Sequence, residues 1–174
     1  MAYKCIFLDR DGVINKDIGY LHRIEDFEFI KNFINSFQRI TLLGFKLIII
    51  TNQSGIARGM YSVHDLKLLN NWLIRKLKDN NIEILDIFFC PHGPDDKCKC
   101  RKPMPGLFIA AEKKYDIDKS NSWMIGDKES DIEAANNFGI FNTILFESEV
   151  SNHPTESSAK FKINSLKKLE KLIV

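Results

Sequence analysis

The chain has 174 residues, of which 44% are hydrophobic and 28% charged, and its formal net charge is +2. A chain of this size buries roughly 70% of its unfolded surface, enough for a full core, and its wealth of Phe, Ile and Leu excludes a disordered protein. So small a net charge leaves no electrostatic footprint for nucleic acid or an anionic membrane, and no apolar run approaches the ~20 residues of a membrane span. Met1-Ala2-Tyr3-Lys4 leads straight into an apolar run without a signal-peptide layout. The expectation is a cytoplasmic protein and, with no exposed apolar stripe in the pattern, a monomer.

In chain order, residues 3–8 read as a buried strand. Apolar residues at helical spacing (Ile30, Phe33, Ile34, Phe37, Ile40) predict a helix over 27–43, with Gly44 as its stop. Residues 45–50 form a second strand. Ser62 with Asp65 three positions on is a variant capping box that opens a helix to about Asp79. Then come a strand at 85–89, a helix at 105–115, a strand at 123–125, a helix at 130–138 stopped by Gly139, and a strand at 142–146. A last helix at 165–172 is expected to dock on the edge. Alternating strands and helices with continuously apolar strands imply an α/β fold, a doubly wound parallel sheet within one domain spanning 1–174. Such sheets bind ligands beyond the carboxyl ends of their strands.

Polar motifs fall at those ends. The first strand runs into Asp9-Arg10-Asp11-Gly12, the second into Thr51-Asn52-Gln53-Ser54-Gly55, the fourth into Gly126-Asp127, and Lys102 precedes a helix. Asp9 and Asp11 are two residues apart and can face one site, and Asp127 joins them from another strand. Three close acids repel one another unless a hard cation lies between them, and magnesium suits oxygen ligands of this kind. Asp9 can then attack phosphorus in line, while Asp11 protonates the leaving oxygen and later deprotonates water. The Thr51 hydroxyl, the Asn52 backbone amide and the Lys102 ammonium can stabilise the charge on the transferring group. Taken singly, each motif has an ordinary alternative: a calcium loop, a turn with a helix start, an idle lysine, or, for Asp131, a surface acid.

Together the four segments resemble the motifs of the haloacid dehalogenase-like (HAD) phosphatases. The resemblance implies a Rossmann-like core with Asp9 as nucleophile, Asp11 as acid/base, and Thr51 and Lys102 on the phosphoryl group. It also implies magnesium on Asp9, Asp127 and the Asp11 backbone carbonyl.

Cys90-Pro91-His92 and Cys98-Lys99-Cys100 offer three thiolates and an imidazole, a set suited to a closed tetrahedral zinc site of structural type. The alternatives are a disulfide or loose thiols. Cys5 reads as a small buried apolar residue, and His22, His64 and His153 as non-ligands. Cys100 directly precedes Arg101 and Lys102, so the loop is expected to fix both cations at the mouth of the site.

No insertion long enough for a cap domain is evident, so substrate recognition falls to nearby loops: Asp17, Gly19, Tyr20, Asn52, Gln53, Ser54, Arg58, Arg101 and Lys128. The segments Asp9-Arg10-Asp11-Gly12 with Asn15, Gly19-Tyr20, 52–59, 90–92, 98–103 and 126–128 are similar to the heptose 1,7-bisphosphate phosphatase family. That resemblance implies a small sugar-phosphate substrate whose 7-phosphate is removed during synthesis of nucleotide-activated heptose. Arg101, with Lys128 and Arg58, would meet the remaining phosphate and the sugar hydroxyls. One feature departs from the pattern. Residues 93–97 form a short loop, whereas many heptose enzymes are longer there, and this resembles histidinol-phosphate phosphatases. A nucleic-acid 3′-phosphatase and an inactive phosphate-binding module are the remaining readings.

Overall fold

Strand β1 (Cys5–Leu8) is buried at all four positions because it lies at the centre of a parallel sheet covered on both faces. The computed structural model of the chain describes residues 2–148 and 156–173. After β1 come α1 (Phe33–Thr41), β2 (Lys46–Asn52), α2 (Val63–Lys78), β3 (Ile84–Cys90) and α3 (Gly106–Glu112). They are followed by β4 (Trp123–Gly126), α4 (Glu129–Phe138), β5 (Asn142–Phe146), β6 (Phe161–Ile163) and α5 (Leu169–Leu172). The strand order is β3-β2-β1-β4-β5-β6, every pairing parallel. Consecutive strands step outward on one side of β1 and then resume with β4 on the other. The sheet therefore reverses direction at β1/β4, the kind of point where open α/β sheets bind ligands.

The period-two alternation of the strands divides the core. Ile6, Leu8, Leu47, Ile49, Ile125 and Ile144 face the layer built by α1, α5 and the end of α2. Cys5, Phe7, Ile48, Ile50 and Met124 face Leu107, Phe108 and Ala111 of α3 and Ala134, Ala135 and Phe138 of α4. Cys5 is thus a buried core residue. At the start of α2 the Asp65 amide donates to Ser62 Oγ (3.1 Å), and the Ser62 amide donates to Asp65 Oδ2 (2.8 Å). Helix α4 ends at Gly139, whose φ of 101° is a left-handed value that favours glycine.

Three elements differ from the sequence reading. The helix expected over 27–43 begins at Phe33, after Asn32 turns the chain at φ 67°. Residues 28–30 pair with the 14–16 segment instead, through Lys16 N–H to Glu28 O and Ile30 N–H to Ile14 O, both 2.9 Å. Phe27 and Phe29 pack on Trp72, so the apolar spacing there serves a loop that covers the core. Strand β6 was not read from the sequence. The last helix is shorter than expected: a 3-10 turn at 166–168 leads into the single turn of α5. Among the described residues no helix lies between β1 and α1. No described helix is long and apolar enough to cross a membrane. His153 lies outside the described residues.

Candidate active site

The carboxyl ends of β1, β2 and β4 deliver Asp9 and Asp11, Thr51 to Gln53, and Asp127 to one place. They border a cleft of about 480 Å³ lined by Asp9, Asp11, Asn52, Gln53, Lys102 and Asp131, with further mouth residues described below. Lys102 reaches the floor from the loop before α3. Its Nζ lies 2.6 Å from Asp131 Oδ1 and 3.1 Å from Asp9 Oδ1, and donates to Ile50 O at 2.9 Å. Its backbone is tied to Asn52 by two reciprocal bonds: Lys102 N–H to Asn52 Oδ1 (3.1 Å) and Asn52 Nδ2 to Lys102 O (3.2 Å). Burial alone would lower the Lys102 pKa, but Asp131 and Asp9 together outweigh it and raise it. The lysine is therefore held charged beneath the nucleophile position.

Asp127 has a different environment. It is 2% exposed, and neither carboxylate oxygen has a hydrogen-bond partner. Gly12, at φ 92°, packs against it so closely that an added Cβ would lie 2.1 Å from Asp127 Oδ2. Burial and then the neighbouring Asp9 and Asp131 charges push the Asp127 pKa up to about 8. Burial likewise raises Asp9 to about 6, with Lys102 pulling the other way. Oxygens of Asp9, Asp127 and Asp131 lie within 4.8 Å of one another. Two buried oxygens without a hydrogen bond, one of them only 3.9 Å from Lys128 Nζ, beside a second raised carboxyl fit a hard divalent cation, which would supply the missing partner. Lys102 contacts Oδ1 of both Asp131 and Asp9, but the Lys128 amide also donates to Asp131 Oδ2, so Asp9, whose contacts fall on Oδ1, and Asp127 are the side chains best placed for the ion.

Asp11 sits at the cleft wall, its carboxylate held by Arg10, Asn15 and Gln53. Thr51 is fully buried, and its Oγ1 accepts from Gln53 Nε2 at 2.8 Å. At the mouth, Lys128 Nζ and Asp17 Oδ2 pair at 3.0 Å from opposite loops. Burial opposes the Lys128 charge, but Asp127, Asp9 and Asp17 together raise its pKa. Gly19, Tyr20, Ser54, Arg101 and Lys128 also line the cleft. Arg58 does not; its guanidinium lies 5.9 Å from the centre of the Tyr20 ring, behind the mouth.

The sulfurs of Cys90, Cys98 and Cys100 lie 3.0–3.6 Å apart, and His92 Nδ1 is 3.5 Å from Cys90 Sγ and 3.2 Å from Cys100 Sγ. A tetrahedron with bonds of about 2.3 Å has edges of roughly 3.8 Å, so this cluster could hold zinc with little adjustment. All four cysteines are free thiols, so there is no disulfide. The loop extends to the cleft: Arg101 N–H donates to Cys98 Sγ (3.4 Å) and Arg101 Nη1 to His92 O (3.3 Å).

The sequence reading assigned no site role to Arg10, Asn15, Tyr61, Ser130 or Asp131. Asp131 is 1% exposed and so is not a surface acid. Its four-residue spacing from Asp127, across the start of α4, was the one available signal. Tyr61, whose hydroxyl donates to Gln53 Oε1, and Ser130 both line the cleft, and nothing in the local sequence marks either.

Comparison with known proteins identifies the family. A HAD-hydrolase-like family model matches residues 99–169. A relative from Photorhabdus laumondii, named D-glycero-alpha-D-manno-heptose-1,7-bisphosphate 7-phosphatase, is 47% identical over 98% of this chain and 96% of its own length. The D-glycero-beta-D-manno-heptose-1,7-bisphosphate 7-phosphatases of the same organism and of Escherichia coli K12 are 40% and 38% identical, each over 97% of this chain and 94% and 92% of their own lengths. A crystal structure of the D,D-heptose 1,7-bisphosphate phosphatase of B. bronchiseptica, complexed with magnesium and phosphate, superposes with a TM-score of 0.83 at 29% identity, covering 98% of both chains. The chain belongs to the heptose 1,7-bisphosphate 7-phosphatase family of HAD-like hydrolases.

Proposed function

We propose that this chain is a one-domain, capless, magnesium-dependent phosphatase that removes the 7-phosphate of D-glycero-D-manno-heptose 1,7-bisphosphate, acting as a cytoplasmic monomer in the synthesis of nucleotide-activated heptose. The observation that carries it is near-full-length similarity to relatives of that name. These relatives favour heptose over histidinol phosphate despite the short 93–97 loop. The preferred anomer is α, since the relative named for it is 47% identical and the β-named relative of the same organism 40%.

Magnesium held by Asp9, Asp127 and the Asp11 backbone carbonyl would neutralise the buried acids and the phosphoryl charge. Asp9 attacks phosphorus, forming a P–O bond to its carboxylate as the bond to the sugar C7 oxygen breaks. Asp11 gives that oxygen a proton, then takes one from the water that releases phosphate. Lys102, Thr51 and the Asn52 amide act on the equatorial oxygens. Arg101 and Lys128 meet the remaining phosphate, while Asp17, Gly19, Tyr20, Gln53 and Ser54 shape the sugar pocket. Arg58 acts through Tyr20. Zinc on Cys90, His92, Cys98 and Cys100 would hold Arg101 in place.

A phosphate-release screen tests the reading, with both heptose 1,7-bisphosphate anomers, histidinol phosphate and fructose 1,6-bisphosphate, each with and without magnesium. The α-heptose compound should give the highest kcat/KM, and Asp9→Asn should abolish turnover with the fold intact. Higher efficiency on histidinol phosphate would overturn the substrate assignment, and persistent activity in Asp9→Asn the nucleophile.

A further inference from the structure

Asp11 is surrounded by donors. Arg10 Nε and Nη2 donate to its Oδ1 at 3.2 and 3.0 Å, and Nη2 also reaches Oδ2 at 3.0 Å. Asn15 Nδ2 donates to Oδ1 at 2.9 Å and Gln53 Nε2 to Oδ2 at 3.0 Å. The Gln53 amide is itself oriented. Its Oε1 accepts from Tyr61 Oη and, at 3.5 Å, from Arg10 Nη2, so its Nε2 is left to face Asp11 and Thr51. Each oxygen of Asp11 thus has its own donors, and the carboxylate plane is fixed.

Arg10 is the least expected member of this group. A fully buried guanidinium is costly unless a partner compensates it, and Arg10 is 0% exposed. Its one ion pair among the described residues is with Asp11, its Nη2 is further anchored on Leu21 O (3.0 Å), and its Nη1 has no partner at all. The Arg10 backbone amide meanwhile donates to Asp9 Oδ1 at 2.7 Å. One residue therefore grips both carboxylates of the Asp-Arg-Asp segment, Asp9 by its main chain and Asp11 by its side chain. The mechanism above gives Arg10 no task.

We propose that Arg10 is a positioning residue that sets the orientation of the Asp11 carboxyl relative to Asp9, with Gln53, itself held by Tyr61, fixing the second oxygen. The inference rests on Asp11 being the acid/base. The step it serves forms the Asp9–phosphorus bond, breaks the phosphorus–ester oxygen bond and passes one proton from Asp11 to that oxygen. Misdirecting Asp11 should slow this step in proportion to how much the leaving oxygen needs the proton. A sugar alkoxide needs it; the p-nitrophenolate of an aryl phosphate does not.

The test compares single-turnover rates of leaving-group release from heptose 1,7-bisphosphate and from p-nitrophenyl phosphate. Arg10→Lys keeps the charge and loses the fork. It should slow sugar release at least about tenfold while aryl release stays within about threefold, with a cooperative melt and an unchanged Kd for inorganic phosphate. Equal losses on the two substrates, or no loss on the sugar, would overturn the inference. If Arg10→Lys does not fold, Tyr61→Phe, which releases the Gln53 amide that donates to Oδ2, should give the same selective loss in smaller measure; an unselective loss there overturns it equally. Asp11→Asn separates this inference from the reading beneath it. If that variant shows no leaving-group dependence, the acid/base assignment fails. If it does and Arg10→Lys does not, only the role of Arg10 fails.

Discussion

Lys102 has two carboxylate partners, and the balance between them sets how freely Asp9 can act. Asp131 is the nearer, at 2.6 Å against 3.1 Å for Asp9. Asp131 takes much of the ammonium charge, leaving an Asp9 oxygen available for phosphorus. Asp131→Asn should draw Lys102 onto Asp9 and lower kcat by about a hundredfold, with KM much less affected. Removing one partner of a buried pair should also cost about 3 kcal/mol of stability, measured by urea unfolding in magnesium-free buffer. An unchanged kcat would refute this division of the charge. Asp131 also shows what single residues conceal in a sequence. Asp9, Asp11, Thr51 and Asp127 stand at the ends of apolar runs, where the fold points them at a common site. Asp131 lies in the first turn of α4, and its burial is decided by Lys102, which arrives from the loop before α3. Arg10 and Tyr61 are hidden for the same reason: their partners are remote in sequence or lie on a side chain whose direction the pattern does not give.

At the scale of elements, the loop joining β3 to α3 connects the Cys90, His92, Cys98 and Cys100 cluster to the cleft through the Arg101 amide on Cys98 Sγ and the Arg101 guanidinium on His92 O. Cys98→Ala removes a proposed zinc ligand and the acceptor for that amide together. The variant should lose its zinc and show a KM raised about tenfold with kcat within about threefold, read from metal content and steady-state kinetics. A zinc-free variant with wild-type KM would show that the loop does not position Arg101. The strands on either side were legible because a parallel sheet buried on both faces leaves continuous apolar runs. Helix α1 was read too long because Phe27, Phe29 and Ile30 continue a helical spacing while pairing with 14–16 and packing on Trp72. Periodicity reports burial, and it cannot tell a helix from a loop lying over the core. Strand β6 escaped because three residues at a sheet edge, with Lys162 turned outward, carry too little alternation to read.

For the molecule as a whole, the buried acids couple folding to pH and to the proposed magnesium. Asp9 is raised to about 6 and Asp127 to about 8, both chiefly by burial, from the ordinary carboxylate value of 3.8 that the unfolded chain would keep. Between those limits the native state holds protons that the unfolded state has released, so stability must fall as pH rises. Without the cation, the contribution of these groups is fully present below about pH 4 and lost as pH passes through about 6 and then 8. Asp17, Asp86 and Glu129 are shifted down, each because its partners outweigh burial, and their contribution is already complete above pH 5. They do not mask the trend in the neutral range. A cation binds the ionised carboxylates, so it must displace these protons and bind more tightly as pH rises. The measurement is Tm by calorimetry at pH 5.5, 7 and 8.5 on zinc-loaded protein, in resin-treated buffer and again in excess magnesium. A chelator would strip the cysteine cluster as well and is avoided. The magnesium-free Tm should fall with pH, and the gap opened by magnesium should widen. A gap of equal size at pH 5.5 and 8.5 would mean that the ion does not bind at Asp9 and Asp127, and the metal would have to be sought elsewhere in the cleft.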